Sequence, residues 1–83
     1  MVIYIGNLPF ETSEYDLIER FKLYGPVISV NVMRDEVSGN ALGIAFVKMN
    51  DRSAANQAIA GLNRTRIRSD LIQGILRVKH QAL

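Results

Sequence analysis

Cysteine is absent from this sequence, histidine occurs once, and no long apolar run is present; each absence removes a class of function. Without cysteine the chain has no disulfide and no thiolate metal ligand, and the redox compartment is left open. No apolar stretch approaches the roughly 20 residues that cross a bilayer, so we expect no membrane partner. The lone histidine is near the C-terminus, and neither a Ser/His/Asp grouping nor a recognisable carboxylate pair is visible. We therefore predict a protein that is not an enzyme and has no metal, cofactor or small-molecule substrate.

The chain is long enough for one hydrophobic core. Its 83 residues are 48% hydrophobic and 22% charged, which is an ordinary globular composition. A chain of this size buries only about 60% of the surface that it exposes when unfolded. Because the strand pattern begins at residue 2, we expect residues 1–83 to form a single domain taken from a longer protein. The net charge of +2 is a weak indication of an anionic partner, and the placement of the charges is more informative.

Hydrophobic periodicity predicts the element order βαββαβ. The alternating segments are residues 2–6, 27–34, 41–49 and 75–80. Two segments of helical spacing lie between them, with Ser13 and Asp51 as N-caps and Gly25-Pro26 at the end of the first helix. Two split βαβ units in this order predict an α+β, ferredoxin-like sandwich: a four-stranded antiparallel sheet with two helices on one face. The other face of the sheet is left to solvent.

The apolar side chains of the predicted core point to the side of the sheet that the helices cover. In the first helix they are Leu17, Ile18 and Phe21, which fall at helical spacing. The other members come from the second helix and the strands: Ala55, Ala58, Ile59, Leu62, Val30, Val32, Gly43, Ala45, Val47, Met49, Leu76 and Val78. We expect Phe10 to pack into this core before the first helix, and His80 to point inward as well.

The strands leave rings and aliphatic side chains on the face without helices. Successive strand residues face opposite sides of a sheet, so Tyr4 points away from its apolar neighbours Ile3 and Ile5. The third strand adds four residues to the side of Tyr4: Leu42, Ile44, Phe46 and Lys48. If the first and third strands are the central pair, these residues form one apolar patch, and exposed patches of this kind usually mark binding surfaces.

Amide, thioether and cationic side chains surround this patch. They are Asn31 and Met33 of the second strand, Lys48 of the third, and Arg77 and Lys79 of the fourth. Rings to stack on and positive charges for phosphates are what unpaired bases require. Other interpretations stay open, because the rings could be ordinary surface aromatics or lie under a terminal helix outside this sequence. Cations on an edge strand could also serve only to discourage edge pairing.

Two segments resemble the paired RNP motifs of the RNA recognition motif (RRM) family. "IYIGNL", residues 3–8, matches the family's hexapeptide, and "LGIAFVKM", residues 42–49, matches its octapeptide in part. By position, Tyr4 corresponds to the stacking ring of the hexapeptide and Phe46 to the second ring of the octapeptide. The resemblance implies an intracellular domain whose partner is single-stranded RNA, with two or three bases stacked on the motif rings. It leaves nucleus, cytoplasm and organelle open.

The octapeptide departs from the family pattern at three positions. Leu42 stands where a phosphate-pairing Lys or Arg is usual, Ile44 replaces the first ring, and Met49 replaces a core ring. Because base stacking is worth about 1–3 kcal/mol per base, we expect modest affinity, roughly micromolar. The smaller stacking area penalises purines most, so U-rich RNA is the expected preference. Ile44 and Leu42 could contact a base or ribose, or could belong to a protein-contact patch.

The connection to the last strand is longer than the family commonly has. Within it Arg64, Arg66 and Arg68 recur at every second position, so in an extended segment they would share one side. Such a row could contact phosphates or form a solvated loop. We expect about two to three phosphate contacts in total. If the RNA affinity falls more steeply with salt than two to three contacts predict, these arginines also bind phosphates.

Two other functions are compatible with the predicted fold. Acylphosphatases share the element order, but they need a glycine-rich phosphate cradle with an arginine directly after the first strand. Here that position reads "GNLPFETSE", which contains no cation. Some RRM-like domains instead bind peptides or dimerise, and the aliphatic side chains at positions 42 and 44 favour this second function. A protein–protein interaction or dimerisation module is therefore the alternative prediction.

Overall fold

The structure of the protein, a computed structural model, describes residues 1–9, 11–63 and 77–80. For Ala41 and for the segment 77–80 only the backbone is described. Several predictions lie outside these residues: those for Phe10, Arg64, Arg66, Arg68 and Leu76.

Among the residues that the structure describes, six elements follow one another in the order βαββαβ, which confirms the predicted fold. They are β1 (Val2–Gly6), α1 (Glu14–Phe21), β2 (Ser29–Arg34), β3 (Ala41–Lys48), α2 (Arg52–Leu62) and β4 (Arg77–His80). All strand pairs are antiparallel, and the order across the sheet is β2-β3-β1-β4. β1 and β3 are therefore the central pair, as the apolar patch requires. β2 begins at Ser29 and not at residue 27 as predicted.

Both helices begin at the predicted N-caps. Ser13 Oγ accepts a hydrogen bond from the Asp16 N–H at 3.2 Å, and the Asp16 carboxylate accepts one from the Ser13 N–H at 3.0 Å. This reciprocal capping box satisfies two donors that the first turn of a helix leaves without partners. At the start of α2 the Asp51 side chain accepts from Ser53 N–H at 2.8 Å and from Ala54 N–H at 3.2 Å.

The core lies between the two helices and one face of the sheet. Ile3, Ile5 and Val47 are 0% exposed, and they pack in one cluster with Leu17 and Phe21 of α1. α2 adds its short side chains and one leucine to this cluster: Ala54, Ala55, Ala58 and Leu62. Alanines on this face of α2 let the helix lie close to the sheet. The two described helices thus cover one face of the sheet.

The prediction that Ile18 is buried with Leu17 and Phe21 is wrong. Ile18 is 38% exposed, whereas Leu17 and Phe21 are 0% and 1% exposed. Leu17 and Phe21 are four residues apart and so share one line along the helix, while Ile18 lies about 100° around the axis from Leu17. The short helix contacts the core along that line, so Ile18 falls at the solvent border. Ile59 and Val30, also predicted in the core, are partly buried against it.

A bulge in β3 interrupts the alternation near Gly43. The register with β2 shifts between Val32 and Arg34, because β3 carries extra residues in this stretch. Gly43 has a φ of +83°, a left-handed conformation that glycine adopts without strain. The alternation that predicts the side of Leu42 therefore holds only from Ile44 onward.

Candidate nucleic-acid interface

The sheet face opposite the helices carries rings, aliphatic groups and a cation. Along the two central strands, inward residues are 0% exposed: Ile3, Ile5, Ala45 and Val47. The residues between them, Tyr4, Ile44 and Phe46, are partly exposed, and Lys48 is exposed. Since strand side chains alternate, these residues share the face without helices. We call it the open face, made up of Tyr4, Gly6, Asn31, Ile44, Phe46 and Lys48.

Tyr4 and Phe46 form a pair of rings at the centre of the open face. They are direct partners in the register of β1 with β3. Their ring centroids are 5.9 Å apart and the ring planes meet at 62°, an edge-to-face arrangement. Such pairs are worth about 0.5–1.5 kcal/mol beyond the area that they bury, because the positive edge of one ring meets the negative face of the other. Each ring therefore helps to hold its neighbour in place.

The register places these rings in a row that crosses all four strands. The positions that follow one another across the sheet are Asn31, Phe46, Tyr4 and Lys79. With strands about 4.8 Å apart, the row is about 14 Å wide. The two rings thus have an amide side chain on one side and a lysine position on the other.

Further positions flank this row on both sides. Gly6 pairs with Ile44 of β3 and with Arg77 of β4, so one flank consists of a bare backbone between an aliphatic side chain and an arginine position. On the other flank Lys48 is exposed and pairs with Ser29. The sequence-predicted cations therefore occupy the β4 edge of the sheet and the far end of β3, around the rings.

The β2 edge contributes an amide and a thioether. Asn31 and Met33 are both exposed, and Asn31 Nδ2 donates a weak hydrogen bond to Met33 Sδ at 3.6 Å. The next residue, Arg34, forms an ion pair with Glu14 of α1 at 3.1 Å. Because that pair compensates the guanidinium charge, this edge adds little positive potential. What it offers a ligand is the side chains of Asn31 and Met33.

The turn between β2 and β3 carries a carboxylate that is held in its ionised form. Asp35 Oδ1 accepts hydrogen bonds from the backbone N–H groups of Ser38 at 2.9 Å and of Val37 at 2.8 Å. These bonds, that from Ser38 first, hold the pKa of Asp35 below its usual value. The carboxylate of Asp35 therefore adds negative charge at the end of β2.

Gly6 is a member of the open face that the sequence reasoning did not single out. It lies two residues after Tyr4, and a Cβ built on it would lie 2.6 Å from the Tyr4 hydroxyl oxygen. The signal in the sequence is a glycine two positions after a ring, on the exposed side of a strand. Leu42, by contrast, is 55% exposed but lies beyond the bulge at Gly43.

Metal clusters and membrane-spanning helices are not found in the part of the chain that the structure describes. No group of three or more His, Asp or Glu among those residues could hold a metal ion. No described helix is long and apolar enough to cross a membrane.

Comparison with known proteins points to one family. The model of the RNA recognition motif matches residues 3–73. The Sex-lethal homolog of Chrysomya rufifacies is 38% identical over 61 residues, which are 74% of this chain and 20% of that protein. This chain spans about a fifth of the length of the curated relatives that it matches.

Solved structures agree in fold over nearly the whole chain. A Sxl-lethal protein/RNA complex matches with a TM-score of 0.84 and 35% identity, covering 94% of this chain and 46% of that one. The RNA15 RRM with bound RNA (GU) matches with a TM-score of 0.82 and 26% identity, covering 99% of this chain and 83% of that one. This chain therefore belongs to the RNA recognition motif family, a family of non-enzymatic RNA-binding domains.

Proposed function

We propose that this domain binds single-stranded RNA on the open face, with bases stacked on Tyr4 and Phe46. The observation that carries the proposal is the pair of rings, 5.9 Å apart, at the centre of a sheet face that neither described helix covers. Both rings are partly exposed, so each offers surface to a base while its neighbour restrains it. Stacking of a base on an aromatic side chain contributes about 1–3 kcal/mol and tolerates any base.

Ile44, Met33 and Leu42 supply nonpolar contacts to bases or riboses beside the rings. Ile44 is partly exposed next to the ring pair, and Met33 and Leu42 are 37% and 55% exposed. An aliphatic side chain gives dispersion contact but not the stacking of a ring, so one stacking contribution of about 1–3 kcal/mol is missing. We expect a dissociation constant that is roughly micromolar for this reason.

The phosphates are contacted by the cations that surround the rings. Lys79 is in register with Tyr4, Arg77 with Gly6, and Lys48 is exposed in β3. Neutralising about two to three phosphates would give a slope of about −1.4 to −2.1 in a plot of log K against log salt. Arg64, Arg66 and Arg68 remain candidate phosphate contacts, and each one that binds would steepen the slope by about 0.7.

Uridine-rich RNA is the proposed ligand. Because Ile44 occupies the position of a ring, the stacking surface is smaller, and the loss is greatest for the large purine bases. The RNA15 RRM, similar to this chain at a TM-score of 0.82, was solved with an RNA (GU) that contains both a uridine and a guanosine, so the uridine preference rests on Ile44. A clear preference for poly-A over poly-U would overturn this part of the proposal.

The experiment is fluorescence anisotropy with labelled homopolymers at low salt. Phe46→Ala and Tyr4→Ala should each weaken binding about fivefold or more, since each removes one stacking ring. Tyr15→Ala is the matched control, because Tyr15 is a 68% exposed tyrosine on α1. The proposal fails if the wild-type domain shows no binding, or if the control weakens binding as much as the two sheet variants do.

A protein-interaction or dimerisation module is the second candidate. The observation that favours it is exposed aliphatic surface near the open face, where Leu42 is 55% exposed and Met33 is 37% exposed. Light scattering across a concentration series tests dimerisation. Dimerisation through this face is excluded if the wild-type domain is a monomer that binds RNA and Phe46→Ala loses RNA binding without any change in mass by light scattering.

A further inference from the structure

We propose that Gly6 is a positioning residue of the open face, whose missing side chain leaves the space in which the Tyr4 ring lies. The inference rests on the proposed RNA-binding function and adds a residue that controls how the stacking ring is presented. Gly6 itself contributes only backbone to the site, so it acts through Tyr4.

The geometry places the Tyr4 ring over the backbone of Gly6. The atoms nearest to a Cβ built on Gly6 are all from Tyr4: the hydroxyl oxygen at 2.6 Å, Cε1 at 3.0 Å and Cζ at 3.1 Å. Two residues of a strand advance the chain by about 6.6 Å, so these two residues stand on the same face, one behind the other. The long axis of the ring therefore runs along β1 and does not stand away from the sheet.

The burial of Gly6 agrees with this placement. Gly6 is buried although it lies on the face without helices. Its neighbours in register are Ile44 and the backbone position of Arg77, and the closest atoms above it belong to the Tyr4 ring. The ring is thus part of what covers Gly6.

Backbone conformation does not explain the glycine. Among the described glycines only Gly39 and Gly43 have positive φ, so Gly6 has a conformation open to other residues. Glycine within a strand weakens it, since it loses more conformational freedom on folding than alanine does. Glycine at position 6 thus weakens the strand, and no positive φ requires it. The space that the Tyr4 ring occupies explains why the residue has no side chain.

Alanine at position 6 would displace the ring and leave the core in place. The closest atom is the hydroxyl oxygen at the end of a side chain, which can move outward. The neighbour Ile5, which is 0% exposed, points to the other face of the sheet because strand side chains alternate. The displaced ring would change both the surface offered to a base and the edge contact with Phe46.

The chain offers a matched control on the helix side. Gly61 of α2 stands under the hydroxyl group of Tyr24, so a Cβ on Gly61 would overlap that hydroxyl. Gly61→Ala repeats the same chemical change against a second tyrosine that is not on the open face. It should therefore displace a ring without affecting RNA binding.

The test is a set of dissociation constants for labelled oligouridylate. Gly6→Ala should bind about tenfold more weakly than wild type, within the range of one stacking contact, while Gly61→Ala should change binding less than about twofold. In a Tyr4→Phe background the hydroxyl oxygen, which is the atom closest to the new Cβ, is absent. There Gly6→Ala should weaken RNA binding only about threefold further. A purely structural role of Gly6 would give the same loss in both backgrounds.

The outcomes separate this inference from the proposed function. If Tyr4→Ala weakens binding but Gly6→Ala does not, the positioning role is wrong and RNA binding stands. If the wild-type domain binds no RNA, the function is wrong, and NMR of the free domain still tests the placement. Gly6 Hα should then show a ring-current shift that Tyr4→Leu removes; an unchanged Gly6 shift would overturn the inference.

Discussion

Replacing Ile44 by phenylalanine should strengthen RNA binding. Ile44 pairs with Gly6, which has no side chain, and lies diagonally across from Tyr4 in the register. Diagonal neighbours about 7–8 Å apart are within reach of an aromatic side chain, so a new ring would extend the surface formed by Tyr4 and Phe46. A complete stacking contact of about 1–3 kcal/mol corresponds to about a 5- to 150-fold gain. We expect the lower end, about fivefold, because isoleucine already gives nonpolar contact and the Tyr4 ring occupies part of the space over Gly6.

Fluorescence anisotropy with poly-U and poly-A measures both the gain and its base dependence. The gain from Ile44→Phe should be larger for poly-A, because a larger stacking surface favours a larger base. Ile44→Leu is the control, since it keeps an aliphatic side chain of the same size and should leave both constants within about twofold. Because Ile44 is partly exposed, neither change should alter the free energy of unfolding by more than about 0.5 kcal/mol. If Ile44→Phe binds both polymers no more tightly than Ile44→Leu does, a ring at position 44 does not add to the stacking surface.

Two further predictions concern charge. Lys48→Ala should make the slope of log K against log salt shallower by about 0.7. Lys22→Ala is the control and should leave the slope unchanged, because Lys22 pairs with Glu19 of α1 at 2.9 Å. Equal slopes in wild type, Lys48→Ala and Lys22→Ala would show that Lys48 does not contact the RNA. The pKa of Asp35 is lower in the folded chain than in the unfolded chain. The ionised carboxylate therefore stabilises the fold at pH values above the pKa of the unfolded chain. This stabilisation is lost as the pH falls through the lower pKa of the folded chain. Urea denaturation of wild type and Asp35→Asn should therefore show a smaller loss of stability below about pH 4 in the variant, and identical pH dependence would count against the turn geometry.

The sequence specifies the architecture because periodicity and caps act locally. Ser13 and Asp51 stand where a side-chain oxygen can accept from the first N–H groups of a helix, and both do so. The two-residue period of β1 and β3 assigns Tyr4 and Phe46 to one face, and the register makes them direct partners. The caps and the alternation need only near neighbours in the chain, so they could be predicted from the sequence. The register that pairs Tyr4 with Phe46 joins distant parts of the chain, and the structure supplies it.

Features that depend on how elements meet could not be predicted in the same way. Whether Ile18 is buried depends on the angle at which α1 contacts the core, and helical spacing alone does not give that angle. The bulge at Gly43 depends on the mismatch between β3 and β2. The direction of the Tyr4 ring over Gly6 is a choice of rotamer, which alternation does not encode.

The placement of RNA on the open face can be tested by titrating isotope-labelled domain with oligouridylate and following its amide shifts by NMR. We expect the largest shifts on Tyr4, Ile44 and Phe46 of the open face, while Tyr15 and Ile18 of α1 change little. Shifts concentrated on α1 and α2, with β1 and β3 unchanged at saturation, would contradict this placement.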